Sequence, residues 1–471
     1  MGRLFGTDGV RGVAVSELTT ETAMLIGRAA AVTLAKNSHH KAKILIGKDT
    51  RVSCDVLESA LIAGICSVGA DVHTLGVIPT PAVAFLTVKY GADAGIVISA
   101  SHNPYEFNGI KIFSSSGYKL PDEVEAEIER LVLDARNELA PSGCSNLGRV
   151  YVEKNAEWDY VRHLLKNIDS DLGKMRIVVD CANGAASSCA EKFFKGLGAN
   201  VIMINNTPNG TNINDGCGST HLEQLSNAVV ENRAHAGVAF DGDADRCLMV
   251  DEKGEQVDGD RMIAILAKSM KEDGTLLSNT CVVTKMTNLG FFKWAKENGI
   301  VVSTASRIGD RYVLERMLLD GYNLGGEQSG HIILSDCATT GDGELSGAKV
   351  LEILAASGKK FSELASIFTP YPQLLVNVKL RPECRGKFNE VPEIAEIIGR
   401  YIPVCQCHCA GCKEAFGRDR AVRVADRWKD YRLIDASCGD KLEAWGNIKL
   451  VRPDPQIIWK TPKGAEWNGA D

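Results

Sequence analysis

Residues 239–246 read Ala-Phe-Asp-Gly-Asp-Ala-Asp-Arg, which puts carboxylates at Asp241, Asp243 and Asp245 with Arg246 directly after. Like charges this close repel, and three oxygen donors in five residues suit a hard divalent cation. The spacing imitates an EF-hand, with Glu252 at the twelfth position. An EF-hand, however, needs Gly at the sixth position and a helix leading in. Here Arg246 stands at the sixth, "HAGVAF" leads in as a strand, and "CLMVDEKGEQV" continues as a hairpin. The alternative is a solvated acidic turn. Apolar flanks on both sides would hold the loop near a core, which favours a metal site.

Four further stretches carry groups fit for chemistry. In "AGIVISASHNPYEFNGIKIF" (94–113) an apolar strand runs into a polar loop. Ser101 there is either a nucleophile at a strand exit or part of a turn in which Ser and Asn bond their own backbone. Pro104 biases Asn103 away from helix and stiffens the loop. "FGTDGVRG" (5–12) and "GKDTR" (47–51) supply Arg11 and Arg51, natural forks for phosphate. The glycines of the first would let a phosphate approach the backbone. "GGEQSGH" (325–331) reads as a tight loop offering Glu327, Ser329 and His331 to a polyhydroxylated ligand.

The elements that must position these loops alternate. "KILIG" (43–47) reads as strand, 55–69 as helix, "DVHTLG" as strand, "PAVAFLTVKY" as helix with Pro81 in its first turn, and "AGIVIS" as strand. The same rhythm returns at "RIVVDCANGAAS", "NVIMIN" and "HAGVAF", and again at "NTCVVTK", "NLGFFKWAKENG" and "IVVSTA". Repeated βα alternation implies mostly parallel sheets covered by helices. Three tandem α/β domains with mixed, mostly parallel sheets are expected at 1–152, 153–256 and 257–370. Open α/β sheets bind ligands beyond the carboxyl ends of their strands, and that is where the loops above fall. From 371 to 471 a smaller α+β domain is expected, with "QLLVNVKL" as strand and "EVPEIAEIIGRYI" as helix; beyond 401 the periodicity fades.

A hydrophobic content of 45% and a charged content of 24% are ordinary for a soluble protein of 471 residues. The net charge of -7 argues against a nucleic-acid partner. It leaves an anionic small molecule open, because the local field matters more than the sum. The chain shows neither a signal-peptide pattern nor an 18-residue apolar run, so no membrane association and a cytosolic location are expected. Of 15 cysteines, Cys405, Cys407, Cys409 and Cys412 crowd into "CQCHCAGC". No second pair lies at zinc-site distance, so the cluster reads as free thiols rather than a metal site.

Taken in order, "FGTDGVRG", "ISASHNP", "NGIKIF", "VVDCANGAAS", "FDGDADR", "IGDRYVLE" and "GGEQSGH" resemble the α-D-phosphohexomutase family. They span about residues 1–350. The resemblance implies that Ser101 is the phosphoserine that donates and recovers a phosphoryl group. It implies one Mg²⁺ held by Asp241, Asp243, Asp245 and a phosphoserine oxygen, with the phosphorylation of Ser101 required for activity. Arg246 would steady the phosphoserine, and Arg11, His102 and Lys111 would surround the transferring group, with Lys111 and His102 both open as the base. Glu327 and Ser329 would hold the sugar's hydroxyls or amino group. The implied reaction converts glucosamine 6-phosphate to glucosamine 1-phosphate through a bound 1,6-bisphosphate. The alternatives are a mutase for glucose or mannose phosphates and a non-catalytic sugar-phosphate-binding paralogue. The partner is a small phosphosugar, and a homodimer is compatible with this reading.

The resemblance stops at the fourth domain. The family's phosphate-gripping Arg-x-Ser-Gly-Thr loop has no counterpart in 371–471; "LVRPDPQ" echoes only its start. Arg418, Arg420, Arg423 and Arg427 lie nearby without a small-residue loop to accompany them. Slowed turnover is therefore expected unless those arginines substitute.

Overall fold

The computed structural model of the chain describes residues 3–6, 8–34, 40–173 and 175–373, and the backbone of 431–437, 440–445 and 448–453. The chain divides into two units, Met1–Thr369 and Pro370–Asp471.

The first unit holds three sheets. In the first, β1 (Val10–Val13), β2 (Lys43–Lys48), β3 (Asp71–Val77), β4 (Ala94–Ile98), β5 (Phe107–Ser114) and β6 (Val150–Val152) run in the order β1-β5-β4-β2-β3-β6. β4, β2, β3 and β6 are parallel, while β5 and β1 add an antiparallel edge. The second sheet orders β7 (Arg176–Asp180), β8 (Asn200–Ile204), β9 (Ala236–Phe240), β10 (Cys247–Asp251) and β11 (Gln256–Val257) as β11-β10-β9-β7-β8. The third orders β12 (Thr280–Val283), β13 (Val301–Thr304), β14 (Leu324–Gly326) and β15 (Ile332–Leu334) as β13-β12-β14-β15. Each sheet has a parallel core and an antiparallel margin, as the βα rhythm requires.

The central strands β2 and β4 are covered on both faces, so they are apolar along almost their whole length. Side chains alternate across a strand. Ile44, Ile46, Ile96 and Ile98 pack into a core with Ile26, Leu57, Leu61 and Leu131 from three helices. Leu45 and Val97 turn the other way and join a core shared with the other two sheets, built around Phe194, Phe240, Phe291 and Leu351. Full burial of one such Leu or Ile contributes about 1.5–3 kcal/mol.

One expectation needs correction. "FGTDGVRG" is not wholly a loop: Val10–Val13 is an edge strand paired with β5. Gly9 has φ +80, and any Cβ there would strike the Ile110 carbonyl. Its glycine serves close packing against β5.

In the second unit, β16 (Tyr431–Ser437), β17 (Asp440–Trp445) and β18 (Ile448–Pro453) form an antiparallel three-stranded sheet. All but the first residue of the expected strand at 373–380, and the helix at 390–402, the Cys405–Cys412 cluster and the arginines from 418 to 427, lie outside the described residues.

Candidate active site

Three strand exits of the first unit meet. β4 ends into the Ser101 loop, β9 into the aspartate loop, and β14 into the Glu327 loop. Ser101 takes a left-handed φ of 53 and is 1% exposed. Such a conformation is unfavourable for a serine and persists only where the surroundings fix it. They do: the Ser101 carbonyl accepts from Arg51 Nη2 and from Asn214 Nδ2, each at 2.9 Å. The aspartate loop comes so close that a Cβ on Gly242 would lie 2.5 Å from that same carbonyl oxygen. As a result Ser101 Oγ donates to Asp241 Oδ2 at 2.5 Å.

Asp241, Asp243 and Asp245 are all buried, and one ligand atom from each lies within 4.8 Å of the others. Burial first, then the charges of Asp245 and Asp243, push the Asp241 carboxyl well above the ordinary range. That is what packed like charges do without a cation. Two oxygens, Asp243 Oδ1 and Asp245 Oδ1, are buried with no hydrogen-bond partner. Buried carboxylate oxygens seldom go unpaired. Three hard oxygen donors, two of whose carboxylates keep an oxygen that accepts no hydrogen bond, fit a divalent cation. Glu252, the EF-hand's twelfth ligand, is engaged elsewhere, accepting from Ser362 Oγ at 2.6 Å.

Cationic groups from the first domain press on the same loop. Lys111 Nζ lies 2.8 Å from Asp243 Oδ2, 3.3 Å from Asp245 Oδ2 and 3.0 Å from Asp8 Oδ2. Burial opposes its charge, but these carboxylates outweigh burial and raise its pKa well above the ordinary value. Burial likewise raises Asp245, yet Lys111, His331 and Arg246 hold it well below the usual carboxylate range. Arg11 pairs with Asp8 and keeps 29% of its side chain exposed. His102 Nδ1 sits 3.4 Å from Ser101 Oγ and 3.3 Å from Arg246 Nη1. Burial, then Arg246 and Arg11, push its imidazole down to about 4, so it is neutral near pH 7.

The Glu327 loop approaches from the third sheet. Glu327 and Ser329 are half-buried. Glu327 Oε1 accepts from the Gly309 N–H at 3.1 Å, and Ser329 Oγ lies 3.5 Å from Glu327 Oε2. The loop rests on the start of helix Gly259–Glu272: the Gly259 N–H donates to the Gln328 carbonyl at 3.0 Å. A Cβ on Gly259 would strike the Glu327 carbonyl.

Two of the expected ligand-binding residues do something else. Arg51 is 2% exposed. Its guanidinium pairs with Asp49 at 2.9 Å and donates to the carbonyls of Ser101, Asn103, Pro104 and Phe107. It is the internal brace of the Ser101 loop, with no face left for a phosphate. His331 is also 2% exposed. Its Nδ1 is 3.7 Å from Asp245 Oδ2, and its Nε2 accepts from the Gly341 N–H at 3.2 Å and lies 3.6 Å from Asp310 Oδ2. Buried between Asp245, Asp310 and the Gly341 N–H, it has no exposed edge to offer a sugar.

Several members of the site carried no sequence signal of their own. Thr80 Oγ1 donates to Asp243 Oδ2 at 2.6 Å, and Asn214 holds the Ser101 loop across the domain junction. A lone Thr or Asn outside a motif gives no hint of this. Asp8 and Asp310 stood inside quoted motifs and could have been singled out as charges flanked by glycine.

The comparisons agree with this geometry. The phosphoglucomutase/phosphomannomutase alpha/beta/alpha domain I matches residues 2–138, domain II residues 158–254 and domain III residues 258–371. The chain is similar to the phosphoglucosamine mutase of Caldicellulosiruptor bescii, 53% identical over 92% of this chain and 96% of the relative. It is similar to that of Clostridioides difficile, 52% identical over 85% and 89%. Among solved structures it resembles a phosphoglucomutase/phosphomannomutase family protein from Burkholderia thailandensis, with a TM-score of 0.69 and 26% identity over 79% of this chain and 80% of that one. The chain belongs to the phosphoglucomutase/phosphomannomutase family.

Proposed function

We propose that this family member is a phosphoglucosamine mutase, interconverting glucosamine 6-phosphate and glucosamine 1-phosphate. One observation carries the catalytic part: a buried, conformationally fixed Ser101 hydroxyl set against a carboxylate triplet that has two unpaired oxygens. The choice of an amino sugar rests on the likeness to the two phosphoglucosamine mutases.

On this reading Ser101 carries the phosphoryl group. Its P–O bond breaks as a sugar hydroxyl oxygen attacks in line, giving the 1,6-bisphosphate. That intermediate turns, and its other phosphoryl group returns to Ser101 Oγ. Asp241, Asp243, Asp245 and a phosphoserine oxygen would hold Mg²⁺. Bound there, the ion offsets the gathered negative charge and polarises phosphoryl oxygens. Arg246 and Arg11 face the transferring group, where charge stabilisation and positioning do most of the catalysis. Lys111 is held as a cation by three carboxylates and acts as their counter-charge. Neutral His102, beside Ser101 Oγ, is then the group placed to relay the proton that the sugar hydroxyl loses to the departing Ser101 oxygen, and to take it back when the phosphoryl group returns. Glu327 and Ser329 bind the sugar. No described helix is long and apolar enough to cross a membrane, and the described cysteines are free, in keeping with a cytosolic enzyme.

The test is a Mg²⁺-dependent assay on glucosamine, glucose and mannose 6-phosphates, with the C. bescii relative alongside. Highest kcat/KM on glucosamine 6-phosphate is expected, lower than the relative's because the Arg-x-Ser-Gly-Thr loop is missing. Preference for glucose or mannose phosphate would overturn the substrate assignment, and rates equal to the relative's would overturn the predicted slowing. A phosphorylated protein that exchanges with none of the three is a binding paralogue.

A further inference from the structure

The motif "IGDRYVLE" takes no part in the chemistry just described, yet two of its charged residues, Asp310 and Arg311, sit where the first and third sheets' domains touch. Asp310 opens helix Asp310–Asp320 and forms an ion pair with Lys119 of the first domain. Arg311 donates to Glu125 Oε2 at 2.9 Å and to the Leu120 carbonyl at 3.0 Å, and pairs with Asp122. Beside them Thr339 Oγ1 donates to the Gly117 carbonyl at 2.7 Å. Tyr118 packs against Val282, Val313 and Met317 of the third domain. A short stretch of the first domain, Gly117–Lys119, is thus embedded in the third.

This contact leads to the site in two directions. Asp310 follows Gly309, whose N–H donates to Glu327 Oε1. Lys119 also lies 2.6 Å from Asp8 Oδ1. Asp8 continues through Lys111 to Asp245, Asp245 through His331 to Asp310, and Asp310 back to Lys119. Carboxylates alternate with two lysines and an imidazole around a closed ring. Asp8, Lys111 and Lys119 come from the first domain, Asp245 from the second, Asp310 and His331 from the third.

We infer that Lys119 and Asp310, backed by Arg311, are positioning residues that clasp the Glu327 loop at the correct distance from Ser101 and the aspartate triplet. Neither needs to touch the sugar. A sugar held by Glu327 but displaced from Ser101 by an ångström binds well and reacts badly, since such misplacement can cost about 100-fold in rate. The inference rests on the mutase reading for its kinetic arm only.

The experiment compares Lys119→Met, Asp310→Asn, their double variant and Lys119→Arg. Each single removal is expected to lower kcat by roughly 10–100-fold, with KM for glucosamine 6-phosphate within about threefold, since Glu327 and Ser329 remain. The double variant should be no worse than the weaker single by more than about twofold, because one interaction is lost once. Lys119→Arg should recover most of the rate. Amide hydrogen exchange of residues 327–331, without substrate, should quicken in Lys119→Met and Asp310→Asn and be restored in Lys119→Arg. If Lys119→Met does not fold, Asp310→Asn against Lys119→Arg carries both readouts. Unchanged kcat in a folded single variant, multiplicative losses in the double, or unaltered exchange each overturn the clasp. Should the unaltered protein turn over no hexose phosphate, the mutase reading fails and the exchange result alone decides the clasp.

Discussion

The Ser101 loop and the Glu327 loop are both strand exits, and they are held in opposite ways. The Ser101 loop is braced from inside: one sealed guanidinium, Arg51, satisfies four of its carbonyls, and Asn214 adds a donor from the second domain. The Glu327 loop has no such internal brace. It rests on backbone contacts, with Gly259 under Gln328 and the Cys247 N–H donating to the Gly330 carbonyl at 3.0 Å. A ring of charges spanning three domains reaches it at His331 and, by way of Gly309, at Glu327. The difference suits their proposed tasks. A phosphoryl carrier benefits from one fixed geometry, whereas a loop that must accept two orientations of a turning intermediate benefits from support at its base.

That contrast can be broken at several points. The largest effect is expected from Ser101→Ala, which removes the phosphoryl acceptor and should lower kcat by on the order of 10⁴-fold or more with the fold intact; steady-state rates and a melting curve check both halves. Next comes Arg51→Leu. It strands the fully buried Asp49 carboxylate, and breaking a buried pair costs about 3–5 kcal/mol. Denaturant unfolding should show that loss, and activity should collapse with it. If Arg51→Leu kept its stability and only raised KM, the phosphate-binding role would be right and the brace wrong.

Glu327→Gln should act more gently. Losing a hydrogen bond to a charged group costs about 1.5–3 kcal/mol, expressed mainly in KM for the sugar phosphate while stability holds. The effect expected to be smallest on the rate, acting on stability instead, lies in the seat of the same loop. Asp260, in the first turn of the helix that supports Gln328, is fully buried, with one oxygen unpartnered. Burial, helped by Asp258 and opposed by the Asn288 N–H, pushes its carboxyl from 3.8 up to about 7. The folded state therefore binds the extra proton between those values, and stability falls as pH rises through them. Asp260→Asn should raise the melting temperature at pH 8 and leave it nearly unchanged at pH 4. A rise of equal size at both pH values would contradict that sign.

Much of the fold was legible because burial on both sheet faces leaves continuous apolar strands such as "KILIG" and "AGIVI", punctuated by polar exits. The aspartate triplet and Ser101 were legible because their chemistry is written in adjacent residues. Sequence points Arg51 and His331 at a ligand and the structure turns both inward, for a shared reason. Sequence shows that a side chain can bind an anion or a hydroxyl, but not which way it faces, and both turn inward to hold main chain or carboxylates. Asn214, Thr80 and Lys119 were missed because their partners lie more than a hundred residues away. The edge strand Val10–Val13 was hidden by its glycines, which suit a turn as well as a close strand crossing.

The central claim is that Ser101 carries an exchangeable phosphoryl group facing the aspartate triplet. The direct measurement follows label from glucosamine 6-phosphate, marked in its phosphate, into the protein with Mg²⁺ present, by mass mapping of peptides. The account predicts one labelled phosphoryl group, on the peptide containing Ser101, appearing as fast as turnover and abolished by Ser101→Ala or by chelating the metal. Label on another residue, or none during active turnover, would contradict it.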